Sequence, residues 1–202
     1  FLPGQHLEPV DLPVALVGGL DRRIEHPNRR GPDVRADTVP LDEGEGGVVG
    51  TCAGVVAVAK MGPLLCRMME KGWLDTVIST GALMAHGFIE SIGLQHYKYK
   101  PGEMSDPELC QAGLNRVYDT LESEFNFIEA EKIIYAVLDE VDKTQVFSSR
   151  TVCAAIGKYL YHNVPGMGIL KTAYEHDIPV YIPAFTDSEL ALDIASYMIK
   201  LA

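Results

Sequence analysis

The sequence predicts an α/β fold, a Rossmann-like parallel sheet flanked by helices. Short apolar, β-branched runs recur along the chain: "GGVVGTCAG", "LDTVIST" and "IPVYIPAF". Segments with apolar residues at helical spacing separate them. Strands that alternate with helices assemble as a parallel sheet, because parallel neighbours need a crossover connection. The 202 residues, 47% of them hydrophobic, suffice for one sizeable core.

Residues 1–47 stand apart. They hold half of the twelve prolines and a group of five arginines, Arg22, Arg23, Arg29, Arg30 and Arg35. One piece, "LPVALVGGL", has the pattern of a strand; the rest reads as an irregular arm, a candidate for clasping a neighbouring subunit. The α/β domain is expected over 48–202. After "GGVVGTCAG", the stretch "VVAVAKMGPLLCRMMEKGW" predicts a helix kinked near Gly62 and Pro63. "LDTVIST" is the next strand, and "FIESIGL" resumes helical spacing. A polar loop, "KYKPGEMSDPE", leads to "NRVYDTLESEFNFIEAEKIIYAVLDEVDK", whose second half, 128–142, is an amphipathic helix. "SSRTVCAAIGKYLYHN" opens on a serine cap and runs helically. "PGMGILKTAYEHD" is a further helix, entered through Pro165 and Gly166, and "IPVYIPAF" is the last strand. His96, Tyr97 and Tyr99 read as a surface loop, and His162 and His176 as residues at helix ends. Trp73 and the methionines Met61, Met68 and Met69 read as core.

The formal net charge of −11 disfavours a nucleic-acid partner and favours cationic ligands. Cys52, Cys66, Cys110 and Cys153 lie far apart with no CxxC pair, as reduced thiols of a cytoplasmic protein do. Neither a disulfide framework nor a zinc site is expected from them, and no metal is expected elsewhere. No run of about 18 apolar residues is present, so no membrane span is expected.

Ligands of open parallel sheets bind outside the carboxyl ends of the strands. Three such ends stand out: "GTCAG", "STGA" and "AFTDSE". Small residues let a ligand approach the backbone, and a following helix N-terminus offers free N–H groups to phosphate. The third end offers carboxylates, which suit a ribose diol or an amine. None is GxGxxG or GxxxxGK[ST]. Each alone is equally an ordinary βα turn, and Asp187 alone could be a helix cap. Together they predict a dinucleotide-type site.

"TCAGVVAVAKM…LLCRMMEKGWLDTVISTGALMAHGFIESIG", "QAGLNRVYDT", "SSRTVCAAIGKYL" and "HDIPVYIPAFTDSELALDI" resemble, in this order, the deoxyhypusine synthase family, and within it the bacterial deoxyhypusine synthase-like branch. The resemblance covers roughly residues 48–195. It implies an NAD-binding subunit of a homotetramer that transfers an aminobutyl group from a polyamine such as spermidine. The acceptor it implies is a lysine of a protein or a second polyamine. Carried over by position, NAD contacts fall on Cys52, Ala53, Gly54, Val55 and Val56, on Thr80, Gly81 and Ala82, and on Asp187 with Glu189. Polyamine contacts fall on His86 and Asp193.

The chain departs from the pattern in two places. Classical members carry paired acidic residues where this chain reads Ala85-His86-Gly87, and the bacterial branch usually keeps an aspartate at the position of Gly87. The family's reactive lysine, with a tryptophan beside it, falls downstream of Ala202, and none of the nine lysines here has that context. Three readings stay open: an NAD-dependent aminobutyltransferase, a catalytically silent regulatory or scaffold homologue, and an unrelated nucleotide-binding domain. The last is expected only if the three loops do not converge.

Overall fold

The computed structural model describes residues 47–144 and 146–201. The arm expected over 1–47, with its candidate strand, lies outside the described residues apart from Gly47. A parallel sheet forms from β1 (Val49–Cys52), β2 (Thr76–Ser79) and β6 (Val180–Tyr181), in the order β1-β2-β6. Val49 pairs with Thr76 and Cys52 with Ser79, while Val77 pairs with Val180. The expected strands are therefore parallel neighbours, and their carboxyl ends point the same way.

The helix expected through "VVAVAKMGPLLCRMMEKGW" is not one kinked rod. A 3-10 turn, Gly54–Val56, follows β1, and α1 starts afresh at Gly62–Glu70. Lys60 between them has φ +62°, which no helix accommodates, and Pro63 sits in the first turn of α1, where its missing N–H costs nothing. Of the methionines expected in the core, Met69 is buried but Met61 is exposed. After β2 comes the short α2 (Ala82–His86), and "FIESIGL" continues as hydrogen-bonded turns instead of a helix.

A second sheet was not foreseen. The strands β3 (His96–Lys98), β4 (Leu114–Val117) and β5 (Thr120–Ser123) pair antiparallel in the order β3-β5-β4, with α3 (Asp106–Gln111) between β3 and β4. It has its own small core of Met104, Leu109, Leu114 and Leu121. His96 is fully buried in β3, so the surface loop expected around it is overturned. Its side chain points to the face of the sheet opposite this small core, towards α2.

The remaining helices are α4 (Glu124–Glu140), α5 (Ser149–Asn163), α6 (Ile169–Glu175) and α7 (Glu189–Leu201). Ser148 caps α5 by accepting from Thr151 N at 3.3 Å, as its position before the helical run predicts. The α5 and α6 helices pack on each other, α6 also on α1, and α7 on α4 and α2. They enclose the main core, in which Leu83, Phe88, Ile89, Ile156, Leu160, Ile169, Ile182 and Leu190 are fully buried. Burial of each such side chain contributes about 1.5–3 kcal/mol. Among the described residues no helix is long and apolar enough to cross a membrane.

Candidate functional site

Direct contacts lace the ends of the three parallel strands together. Ser79 Oγ donates to Cys52 O at 2.9 Å, and Gly54 N donates to Thr80 Oγ1 at 2.8 Å. A Cβ on Gly54 would lie 2.1 Å from Leu83 N, and one on Gly81 would lie 2.1 Å from Ser188 Cβ. Glycine is required at both positions because neighbouring loops press on them. The sequence reading gave these glycines to a ligand; the structure shows that neighbouring segments already press on the side where a Cβ would stand. The third loop is anchored by Ile182 N, which donates to Ser149 Oγ at the start of α5 at 3.1 Å.

The rim of this junction is accessible. Thr51, Ala53, Val55 and Thr80 are exposed, Cys52, Val56 and Ala82 half-buried. Asp187 is exposed in the 3-10 turn Phe185–Asp187, two residues before α7 begins at Glu189. It is not the cap. Ser188 Oγ accepts from Ala191 N at 3.2 Å and donates to Phe185 O at 2.5 Å.

Glu189 and Asp193 follow one turn apart on α7, both half-buried. Burial pushes the Glu189 carboxyl up, Asp193 adds to this, and His86 pulls back, leaving it at about 7. Burial and then Glu131 push Asp193 up to about 6, against the pull of Lys200. Burial is the larger cause for both and negative neighbours the second, so a cation that paired with them would favour their charged forms.

His86, at the end of α2, acts on Glu189 and also meets the antiparallel sheet. Its Nδ1 lies 2.5 Å from Glu122 Oε2 of β5, and its ring stands edge-on to Phe127 at 6.0 Å. Glu122 pairs across the antiparallel sheet with His96, which places both side chains on one face. His96 Nε2 is 3.5 Å from Glu122 Oε1, and His96 Nδ1 is 3.1 Å from Glu90 Oε1, which also holds Lys60. Burial pushes the Glu122 carboxyl up, but the two imidazoles overcome it and hold it down at about 2. Sequence reasoning missed Glu90, His96 and Glu122. Their one signal was the antiparallel register, which short polar strands do not advertise.

The family model described as deoxyhypusine synthase matches residues 36–201. The chain belongs to the deoxyhypusine synthase family. It is 32% identical over 145 residues to the "Probable deoxyhypusine synthase 1" of Methanosarcina mazei, covering 72% of this chain and 44% of that one. It is 26% identical over 163 residues to a "Deoxyhypusine synthase-like protein" of Coxiella burnetii, covering 79% of this chain and 46% of the other. The chain thus spans under half the length of these curated relatives. In fold it is similar to the crystal structure of a "putative deoxyhypusine synthase from Entamoeba histolytica", with TM-score 0.53 and 12% identity, over 82% of this chain and 52% of that one. The deoxyhypusine synthase family match takes in both sheets and reaches some residues further towards the N-terminus than the resemblance read from the sequence.

Proposed function

We propose that this chain is the dinucleotide-binding part of an NAD-dependent aminobutyltransferase that draws its group from a polyamine such as spermidine. Family membership supports the reaction class. The observation that carries the reading is the convergence of three parallel-strand ends on one rim, with Asp187 at that rim and Glu189 and Asp193 behind it.

The residues present fit NAD in a specific way. Thr80 and Ala53 offer small, exposed surface at the strand ends, and Asp187 is accessible and free of capping duty. Asp187 accepts hydrogen bonds from a ribose diol in this reading, as acidic residues do in other dinucleotide folds. Glu189 and Asp193 pair with the ammonium groups of the polyamine and orient its chain. When bound, NAD supplies hydride acceptance and return. The acceptor is a protein lysine or a second polyamine, and the working assembly is a homotetramer in the cytoplasm.

A second reading, a catalytically silent homologue, is favoured by Gly87, which stands where the bacterial branch usually keeps an aspartate. Thermal unfolding of the 202-residue chain with NAD and with spermidine separates the two. A ligand selective for the folded state stabilises it by about 2.7 kcal/mol at a hundredfold excess over Kd. A rise in Tm with each ligand is the expected result. No shift at millimolar NAD points to the silent reading.

A further inference from the structure

Glu122 and His96 are completely buried, and His86 is largely so, with its side chain 16% exposed. Four of their polar atoms have no well-directed hydrogen-bond partner: His86 Nδ1, His96 Nε2 and both Glu122 oxygens. The close approaches to Glu122 bring these atoms together without the angles that a hydrogen bond needs. Buried polar atoms without well-directed hydrogen bonds are costly, so four at one point require a reason.

The geometry sharpens this. His96 Nδ1 meets the Glu90 carboxylate, which can only accept, so the ring proton belongs on Nδ1. His96 Nε2 then faces Glu122 Oε1 at 3.5 Å. These buried groups converge without satisfying one another, and a cation held between them would engage them all. One nitrogen of each ring and one Glu122 oxygen all lie within 4.8 Å of one another. Donors about 2.0–2.1 Å from a tetrahedral zinc ion stand about 3.3 Å apart, so small side-chain rotations close this set on an ion.

We infer that His86, His96 and Glu122 form a binding site for a divalent transition-metal ion, with zinc the fitting member of that class. Two imidazoles and one carboxylate are a donor set that zinc takes when one position is left open. Glu90 serves as the outer carboxylate that fixes the His96 tautomer, and Lys60 holds Glu90 in place. A cavity of about 50 Å³ reaches His86 and Glu90 between Gly62, Pro63 and Ser91, room enough for the water that would fill the open position. The inference rests on this geometry alone and is independent of the dinucleotide reading.

The test is metal titration of the chelator-stripped 202-residue chain. Zinc is titrated against a chromophoric chelator, and cobalt is added separately as a coloured substitute. The expected result is one tight site per chain, with the visible bands of cobalt in a low-symmetry nitrogen and oxygen environment. Affinity should fall more than a hundredfold in His86→Ala and Glu122→Gln, and about 10–100-fold in Glu90→Gln. His162→Gln, at the exposed end of α5, should leave it unchanged. His86→Ala is the variant least threatening to folding, and the cobalt spectrum of the unsubstituted chain needs no variant. Absence of a one-to-one site in the unsubstituted chain, or affinity that survives His86→Ala, overturns the inference and leaves a proton as the bridging cation.

Discussion

Ser188 accepts from Ala191 N, so the N-terminus of α7 is capped without Asp187. The two residues therefore separate in an experiment. Asp187→Asn should lower NAD affinity about tenfold, about 1.4 kcal/mol, and leave Tm unchanged. Ser188→Ala should lower stability by about 1 kcal/mol, the usual value of a lost cap, read as a shift in the urea midpoint. An Asp187→Asn protein that binds NAD normally would remove Asp187 from the site. Asp193 gives a prediction in pH. It faces Glu131 of α4 and Lys200 and Glu189 of its own helix, with His86 of α2 acting on Glu189. Its folded carboxyl titrates at about 6 against an ordinary 3.8, so between these values the folded protein keeps a proton that the unfolded chain has lost. Stability contributed by this group is present at low pH and is lost as pH rises through about 6. Glu189 extends the same trend to about 7. Urea unfolding should show a lower midpoint at pH 8 than at pH 5.5, and Asp193→Asn should flatten part of that slope.

At the scale of elements, the hairpin between β4 and β5 turns through Tyr118, which is exposed with φ +56°. Bulky residues occupy that region at a cost, and asparagine tolerates it better. Tyr118→Asn should raise stability by about 0.5–1 kcal/mol, measured by the same urea midpoint. This hairpin also shows where sequence reasoning stops. The parallel strands were legible because "DTVIS" and "IPVYI" are apolar runs bounded by turn signals, as strands buried on both faces must be. The antiparallel strands are "HYK", "LNRV" and "TLES", three or four residues each, too short and polar to show a period. Their buried polar face exists only because Glu122 meets His96 across the sheet and His86 from α2, contacts that no local pattern encodes. The start of α1 failed for a local reason, Lys60 in a left-handed conformation. The role of Asp187 was left between cap and ligand in the sequence; Ser188 takes the cap, and the ligand role is the one proposed above.

For the molecule as a whole, α7 carries Leu192, Met198, Ile199 and Leu201 on its exposed side. Exposed apolar side chains of this size suit contact with another protein surface, such as that of the proposed homotetramer. Sedimentation of the 202-residue chain at micromolar concentration should show species larger than a monomer. A strict monomer would count against the assembly. The order β1-β2-β6 has a further consequence, for how the protein comes into being. The strand that completes the parallel sheet is separated from its neighbour by residues 80–179, which include the whole antiparallel sheet and five helices. Closing so long a loop adds little entropy beyond that of a shorter one, but contacts so distant in sequence form late and slowly. During synthesis, the first two strands emerge from the ribosome long before β6, and the rim has no third wall until Asp187 has been made. A nascent chain therefore passes most of its elongation with one edge of β2 unpaired, open to a chaperone or to a wrong strand.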